Sequence, residues 1–308
     1  MSDTSHIESV DDSNVVIKVR DLKKVFGTQT VLDGVNLDIR RGETLVVMGG
    51  SGCGKSTFLR MLIASLPATS GSIEVLGQAL DVSNEESLNA YRKRFGILFQ
   101  SGALFNSMSI AQNVALPLQE HTELDHSIID IQVKIKLELV GLREHADKLP
   151  SQISGGMKKR AGLARALALD PQILYYDEPS AGLDPVTSAE IDQLMVDLTK
   201  KLGVTSVVVT HEMDSAFTIA DRMVMLDKGR VLMIGTREEF DELRGLSLED
   251  SLKLSKDHQI VRQFLRGDPD GPITERRAET NYAEDLLNTN EDPISPAPAV
   301  QATRRTSS

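Results

Sequence analysis

Nine consecutive residues, Gly49-Gly50-Ser51-Gly52-Cys53-Gly54-Lys55-Ser56-Thr57, constrain the chain more than any other stretch, because they satisfy G-x-x-x-x-G-K-[ST]. That pattern binds phosphate when it stands between a strand and a helix. Residues 44–48 form an apolar run fit for a buried strand and residues 58–66 read as a helix, so both flanks are present. Small residues let such a loop wrap a polyphosphate, while its N–H groups and the positive end of the helix favour the anion. Lys55 offers a compact charge to the outer phosphates, and Ser56 is placed to ligate magnesium. The reading is a nucleotide site.

Composition limits what can be built around that site. The 308 residues, 40% of them hydrophobic, suffice for one large or two modest domains with a real core. A net charge of -11 argues against a nucleic-acid-coating surface and against direct attraction to an anionic membrane. Cys53 is the only cysteine, which excludes an intrachain disulfide and a cysteine-cluster metal site and fits a reducing cytosol. No run of about eighteen apolar residues occurs, so no membrane span is expected. Residues 1–14 carry Asp3, Glu8, Asp11 and Asp12 without Lys or Arg, so no export signal is expected either.

Residues 1–14 are polar and expected to be disordered. Residues 15–19 and 31–39 read as short strands, with Phe26 in the turn region between them. An aromatic ring there either joins the core or stacks on an adenine face. Residues 72–76 and 95–99 give further strands, the second ending at Gln100. Gln100 is either a strand-terminal polar residue or an amide oxygen offered to a metal or water. Residues 101–150 turn helical, with Ile128, Ile131, Ile135, Leu139 and Leu142 expected to form one buried face.

Next, Ile153-Ser154-Gly155-Gly156-Met157-Lys158-Lys159-Arg160 opens a helix over residues 161–169. A Ser-Gly-Gly turn at a helix start is a second anion nest, and the basic run after it is expected on a solvated or subunit-facing surface. Residues 172–176 form an apolar strand running into Asp177 and Glu178. Asp177 would enter the magnesium shell, and Glu178 would polarise the water that attacks a γ-phosphate. Pro185 begins a helix whose Ile191, Leu194, Met195, Leu198 and Leu202 form a buried stripe ended by Gly203. A strand over residues 205–210 then brings His211 to the plane of Glu178, where it is either structural or a donor to the γ-phosphate. Residues 223–227 and 231–234 close with a hairpin.

The order of these motifs resembles the nucleotide-binding domain of ABC ATPases over about residues 15–235. The resemblance is carried by the P-loop, Gln100 (Q-loop), residues 153–157 (signature), residues 173–178 (Walker B), residues 180–184 (D-loop) and His211 (H-loop), with Phe26 at the A-loop position. It implies an α/β fold: a P-loop NTPase with a RecA-like core, an antiparallel β subdomain and a helical subdomain at about residues 101–165. It implies ATP and Mg2+ as cofactors. It also implies a head-to-tail homodimer, with each ATP held between the P-loop of one subunit and Ser154, Gly155 and Gly156 of the other. Phe26 would stack on adenine, and Ser56, Gln100 and Asp177 would organise the metal. Glu178 and His211 would be catalytic, and Asp184 would communicate across the dimer. Ile153 and Met157 depart from the common Leu-Ser-Gly-Gly-Gln signature and remove one polar contact.

Within that family, residues 100–105, 154–160, 261–267 and 270–272 are similar to the ATPase subunits of Mla/Mce-type phospholipid transporters. That similarity implies a peripheral place on the cytoplasmic face of the inner membrane. The implied partners are membrane permease subunits, an Mce-domain lipid carrier and a small STAS-domain protein, with no nucleic acid. ATPases of small-solute importers share the catalytic motifs and are the alternative. An ABC ATPase acting on DNA or ribosomes would bring a long coiled-coil insertion or a second ATPase domain, and neither is visible here.

The expected organisation is an ATPase domain over 15–245, a helical extension over 246–272 and a disordered, Pro-containing tail over 273–308. Phe264 and Leu265 either anchor the extension on another protomer or accessory protein, or pack within their own chain. Cys53 is either thiol-reactive beside phosphate or a small loop residue.

Overall fold

Parallel strands bury both faces and so read as near-continuous apolar runs, which is how TLVVM at residues 44–48 and TSVVV at residues 205–209 read. The computed structural model, which describes residues 14–279, makes them neighbours in one sheet. The strands are β1 (Val15–Phe26), β2 (Gln29–Arg40), β3 (Thr44–Met48), β4 (Ser70–Val75), β5 (Gln78–Ala79), β6 (Phe95–Leu98), β7 (Ile173–Asp177), β8 (Thr205–Val209), β9 (Arg222–Asp227) and β10 (Arg230–Thr236). A six-stranded sheet runs β10-β9-β3-β8-β7-β6, parallel throughout except for β10 on β9. A second, antiparallel sheet runs β2-β1-β4-β5.

Period-two alternation then divides the core between the two faces of the large sheet. Leu45, Val47, Tyr175, Val207 and Val209 pack toward the antiparallel sheet and α1 (Lys55–Leu62). Val46, Met48, Tyr176 and Val208 pack on the opposite face. That second core takes in α3 (Ile110–His121), α4 (His126–Leu139), α5 (Gly155–Ala166) and α6 (Pro185–Leu202), after α2 (Glu85–Arg92) on the other side. The chain continues through α7 (Met213–Ile219), α8 (Arg237–Gly245), α9 (Leu248–Ser251), α10 (Lys256–Arg266) and α11 (Pro272–Glu279).

Several expectations are corrected. The P-loop helix begins at Lys55 and ends at Leu62, ahead of the expected 58–66, and β1 runs on to Phe26. On α4 the expected stripe largely faces outward: Ile128, Ile131 and Ile135 are exposed, while Ile129, Val133 and Leu137 are buried. The cause is in the sequence, since residues 131–139 alternate apolar and polar with period two. On a helix that pattern spreads apolar side chains around the axis, and the i, i+4 series 129-133-137 takes the core. Leu202, at the end of the α6 stripe, is likewise exposed. Val261 and Leu265 of α10 are buried among side chains of their own chain, with Phe264 partly so, which favours the intramolecular alternative. The tail expected to be disordered from residue 273 is helical as far as Glu279, with Pro272 opening α11 as proline opens helices generally. The rest of that tail, and residues 1–13, lie outside the described residues.

One close approach fixes the helical layer on the sheet. A Cβ at Gly96 of β6 would stand 2.1 Å from the carbonyl oxygen of Ala166, at the end of α5. Gly96→Ala must therefore push backbone from backbone, and a loss of about 3 kcal/mol is expected, at the upper end of ordinary overpacking. Urea unfolding of the two proteins measures it, and an unchanged midpoint would contradict this packing.

Candidate nucleotide-hydrolysis site

The loop after β3 is shaped by glycine where no other residue fits. Gly49 has φ +150°, and a Cβ there would lie 2.2 Å from the carbonyl oxygen of Leu226 on β9. Gly54 at φ +111° caps α1 without a side-chain hydrogen bond, and the first turn of α1 has no acid, so the helix offers its N–H groups and positive dipole end to an anion. Lys55 Nζ donates to the carbonyls of Gly49 (2.6 Å) and Gly50 (3.2 Å), which holds the ammonium within the loop. Burial pushes the Cys53 thiol up, against the opposing charge of Lys55. A buried neutral thiol fits the small-loop-residue alternative rather than a reactive one.

Because β8 lies between β3 and β7, three loops leave the same edge side by side: the P-loop, Thr210-His211, and the turn at Glu178. Glu178 N–H donates to Val209 O at 2.9 Å, tying the end of β7 to β8. The Glu178 carboxylate then turns to His211. Its Oε1 is 2.9 Å from Nδ1, and its Oε2 accepts from the His211 backbone N–H at 3.3 Å. The Glu178 side chain is only 15% exposed, against 61% for His211. A histidine so open is not part of the core. Asp177 is pushed up first by burial and then by the charge of Glu178, with Arg60, Lys159 and Lys55 opposing.

The other expected residues stand around this centre. Phe26 ends β1 beside a two-residue turn and is 47% exposed, so it is not core. The Lys24 ammonium lies 4.9 Å from its ring centroid. Gln100 is exposed in the turn beyond β6. Ser154 caps α5, accepting from Met157 N–H, and both Ser154 and Gly155 are exposed. The start of α5 abuts that of α6: a Cβ at Gly156 would lie 2.4 Å from Thr187 Cγ2. Asp184 Oδ1 accepts from the backbone of Val186 and Thr187, and its Oδ2 from the Thr187 hydroxyl. The Thr187 hydroxyl is the chief cause that holds the Asp184 carboxyl below its ordinary range. Signature and D-loop thus meet at Thr187.

Two residues that sequence reasoning missed, and one that it placed on the surface, hold these parts in place. Asn113 is fully buried and binds Phe105 N–H together with the carbonyls of Phe105, Met108 and Ser109, fixing the loop after Gln100. Arg165 donates to the carbonyls of Gly102 and Ala103, tying that same loop to α5. Lys159 is not on a solvated or subunit-facing surface as expected but buried, donating to Glu178 O at 3.1 Å. Its 3-4 spacing from Gly156 and Leu163 is the sequence signal that places it on the inner face.

A phosphate loop on a central parallel strand, with an acid pair two strands away and a histidine between, defines a P-loop nucleotide hydrolase. The ABC transporter family model matches residues 32–181. The chain is 44% identical over 273 residues to the "probable ribonucleotide transport ATP-binding protein mkl" of Mycobacterium leprae, covering 88% of this chain and 75% of that one. It is 38% identical over 272 residues to the "intermembrane phospholipid transport system ATP-binding protein MlaF" of Escherichia coli K12, covering 88% of this chain and 96% of MlaF. Among solved structures, cbiO1 of Clostridium perfringens, part of the ABC transporter complex cbiONQ, superposes with a TM-score of 0.70 at 31% identity, over 78% of this chain and 94% of that one. A dimeric ATP-binding cassette in a post-hydrolysis state with ADP and Pi gives a TM-score of 0.65 at 30% identity, over 72% and 98%. The chain belongs to the ABC transporter family of ATP-binding proteins, and its activity is ATP hydrolysis. Among the described residues no helix is long and apolar enough to cross a membrane.

Proposed function

We infer that this chain is the ATP-hydrolysing subunit of a transporter that moves phospholipid between inner and outer membranes, acting as a homodimer on the cytoplasmic face of the inner membrane. The observation that carries the chemistry is the pairing of Glu178 with His211 beside the P-loop. Lys55 and the loop N–H groups from Gly49 to Thr57 hold the phosphates, and Phe26 offers its exposed ring to adenine. Water attacks the γ-phosphorus and the bond to the bridging oxygen of ADP breaks. Glu178 takes the proton, while His211 donates toward the charge that develops on the phosphoryl oxygens.

The residues present also fit a magnesium ion. The Ser56 hydroxyl, Gln100 amide oxygen and Asp177 carboxylate are hard oxygen donors, and Mg2+ takes few protein ligands alongside substrate phosphates. Among the described residues no three His, Cys, Asp or Glu side chains cluster as a metal site of their own. Burial that disfavours the Asp177 charge is what a divalent cation would offset. When bound, the ion supplies charge neutralisation at the phosphates.

In the dimer, Ser154, Gly155 and Gly156 of one subunit face the ATP held by the P-loop of the other, and Asp184 lies between the two sites. The permease docks in the groove beside Gln100, of about 420 Å³, which includes Ile63, Phe99, Phe105, Pro117, His121 and Arg165. An Mce-domain lipid carrier and a small STAS-domain protein complete the assembly.

Support for lipid as the cargo comes from the match to MlaF over nearly its whole length. The mycobacterial relatives carry the word ribonucleotide instead, and cargo is chosen by partner subunits. The test is gentle purification of the tagged full chain from its native membranes, with mass spectrometry of what accompanies it. A polytopic permease, an Mce-domain subunit and enriched phospholipid are expected. An importer permease with a solute-binding protein would leave the ATPase chemistry intact and remove the lipid assignment.

A further inference from the structure

Lys159 is the one member of the basic run after the signature that faces inward, with 5% of its surface exposed. A buried lysine is costly unless something nearby uses the charge. Its hydrogen bond goes not to a carboxylate but to a carbonyl, that of Glu178. Three carboxylates, those of Glu212 and Glu178 in the loops after β8 and β7 and of Asp177 at the end of β7, face it electrostatically. Glu178 itself has φ +50°, the left-handed region that a non-glycine residue occupies at a cost of about 1–3 kcal/mol when its surroundings hold it there. Those surroundings grip both sides of the residue. Its N–H is held by Val209 O, and its C=O accepts from Lys159 Nζ at 3.1 Å and, within its own turn, from Ala181 N–H at 3.3 Å. In that posture its carboxylate meets both the ring Nδ1 and the backbone N–H of His211.

We propose that Lys159 is a positioning residue for hydrolysis: its ammonium clamps the carbonyl of Glu178, locks that residue in its left-handed conformation, and so aims the carboxylate at His211 and the attacking water. The proposal rests on Glu178 being the residue that accepts the proton. It also gives α5 a double role. The helix begins at Ser154-Gly155-Gly156, which in the dimer face the other nucleotide. Four residues, or about 6 Å, beyond Gly155 it holds the backbone carbonyl of Glu178 in its own site. A shift of α5 on meeting nucleotide is thereby passed to Glu178.

The test is steady-state ATPase kinetics of the full-length chain carrying Lys159→Met, which keeps volume and removes the donor, and Lys159→Arg, which keeps charge and donor. Lys159→Met is expected to lower kcat by about tenfold with KM for ATP within about twofold, the pattern of an interaction used only in the transition state. Lys159→Arg is expected to recover most of the loss. In a Glu178→Gln background, Lys159→Met is expected to lower single-turnover hydrolysis no further, because its effect passes through the group already removed. Should Lys159→Met fail to fold, Lys159→Gln, a shorter uncharged donor, is expected to give an intermediate kcat. A parental kcat in Lys159→Met, a loss in KM that Arg does not rescue, or a fully multiplicative loss in the Glu178→Gln background would each overturn the proposal. Parental hydrolysis by Glu178→Gln alone would instead remove the reading on which it rests.

Discussion

Glu178→Gln is expected to bind ATP as the parent does and to lose hydrolysis by about 10²–10⁴-fold, the range that a positioned general base contributes. The amide keeps the shape of the carboxylate, so it still accepts from the His211 backbone and the left-handed backbone is not disturbed. What it cannot do is take a proton from water. Phosphate binding by Lys55 and the loop N–H groups draws nothing from Glu178, so affinity stays. With ATP bound and not turned over, the dimer is expected to accumulate in its closed form. Turnover assays and ATP-dependent dimerisation by light scattering check the two halves separately. Hydrolysis near the parental rate would remove Glu178 from its role.

How much of this fold and site is legible in the sequence depends on how local each signal is. The P-loop, Asp177-Glu178 and the signature are contiguous motifs, and the apolar runs before the first two fix which sheet they end. Their order in the chain already places them at strand tips. What adjacent motifs do not tell is which strands neighbour which: β8 lies between β3 and β7 although it comes last of the three, and that non-local order is what sets His211 beside Glu178. Other positions mislead for a different reason. On α4, alternating apolar residues mimic a face that the helix does not bury, so periodicity alone points to the wrong side. At Lys159 a charge in a basic run points to solvent, whereas the carbonyl of the turn residue Glu178 gives that charge a buried partner. Asn113 and Arg165 bind backbone carbonyls, and no side-chain pattern announces a partner that every residue carries.

Lys55→Met separates binding from folding in the same site. The Lys55 ammonium is nearly buried, yet among the described residues no carboxylate comes within ion-pair distance of it; its partners are the carbonyls of Gly49 and Gly50 and, at 4.0 Å, the Cys53 sulfur. Methionine removes those hydrogen bonds, a loss of about 1–3 kcal/mol. It also removes a desolvated charge whose effective penalty is several kcal/mol. The nucleotide-free protein is therefore expected to melt at or above the parental temperature. Binding behaves oppositely, because the charge-assisted contacts of Lys55 with the outer phosphates are worth about 1.5–3 kcal/mol each. Losing them weakens ATP affinity by about 100-fold. At an ATP concentration of about 100 times the parental Kd, the parent gains about 2.7 kcal/mol from ligand, and Lys55→Met about 0.4 kcal/mol. Thermal melts with and without ATP-magnesium read both quantities in one experiment. An ATP-induced rise equal to the parent's would show that the loop binds phosphate without its lysine, and a collapse of the nucleotide-free melt would show that the ammonium holds the loop together rather than the ligand.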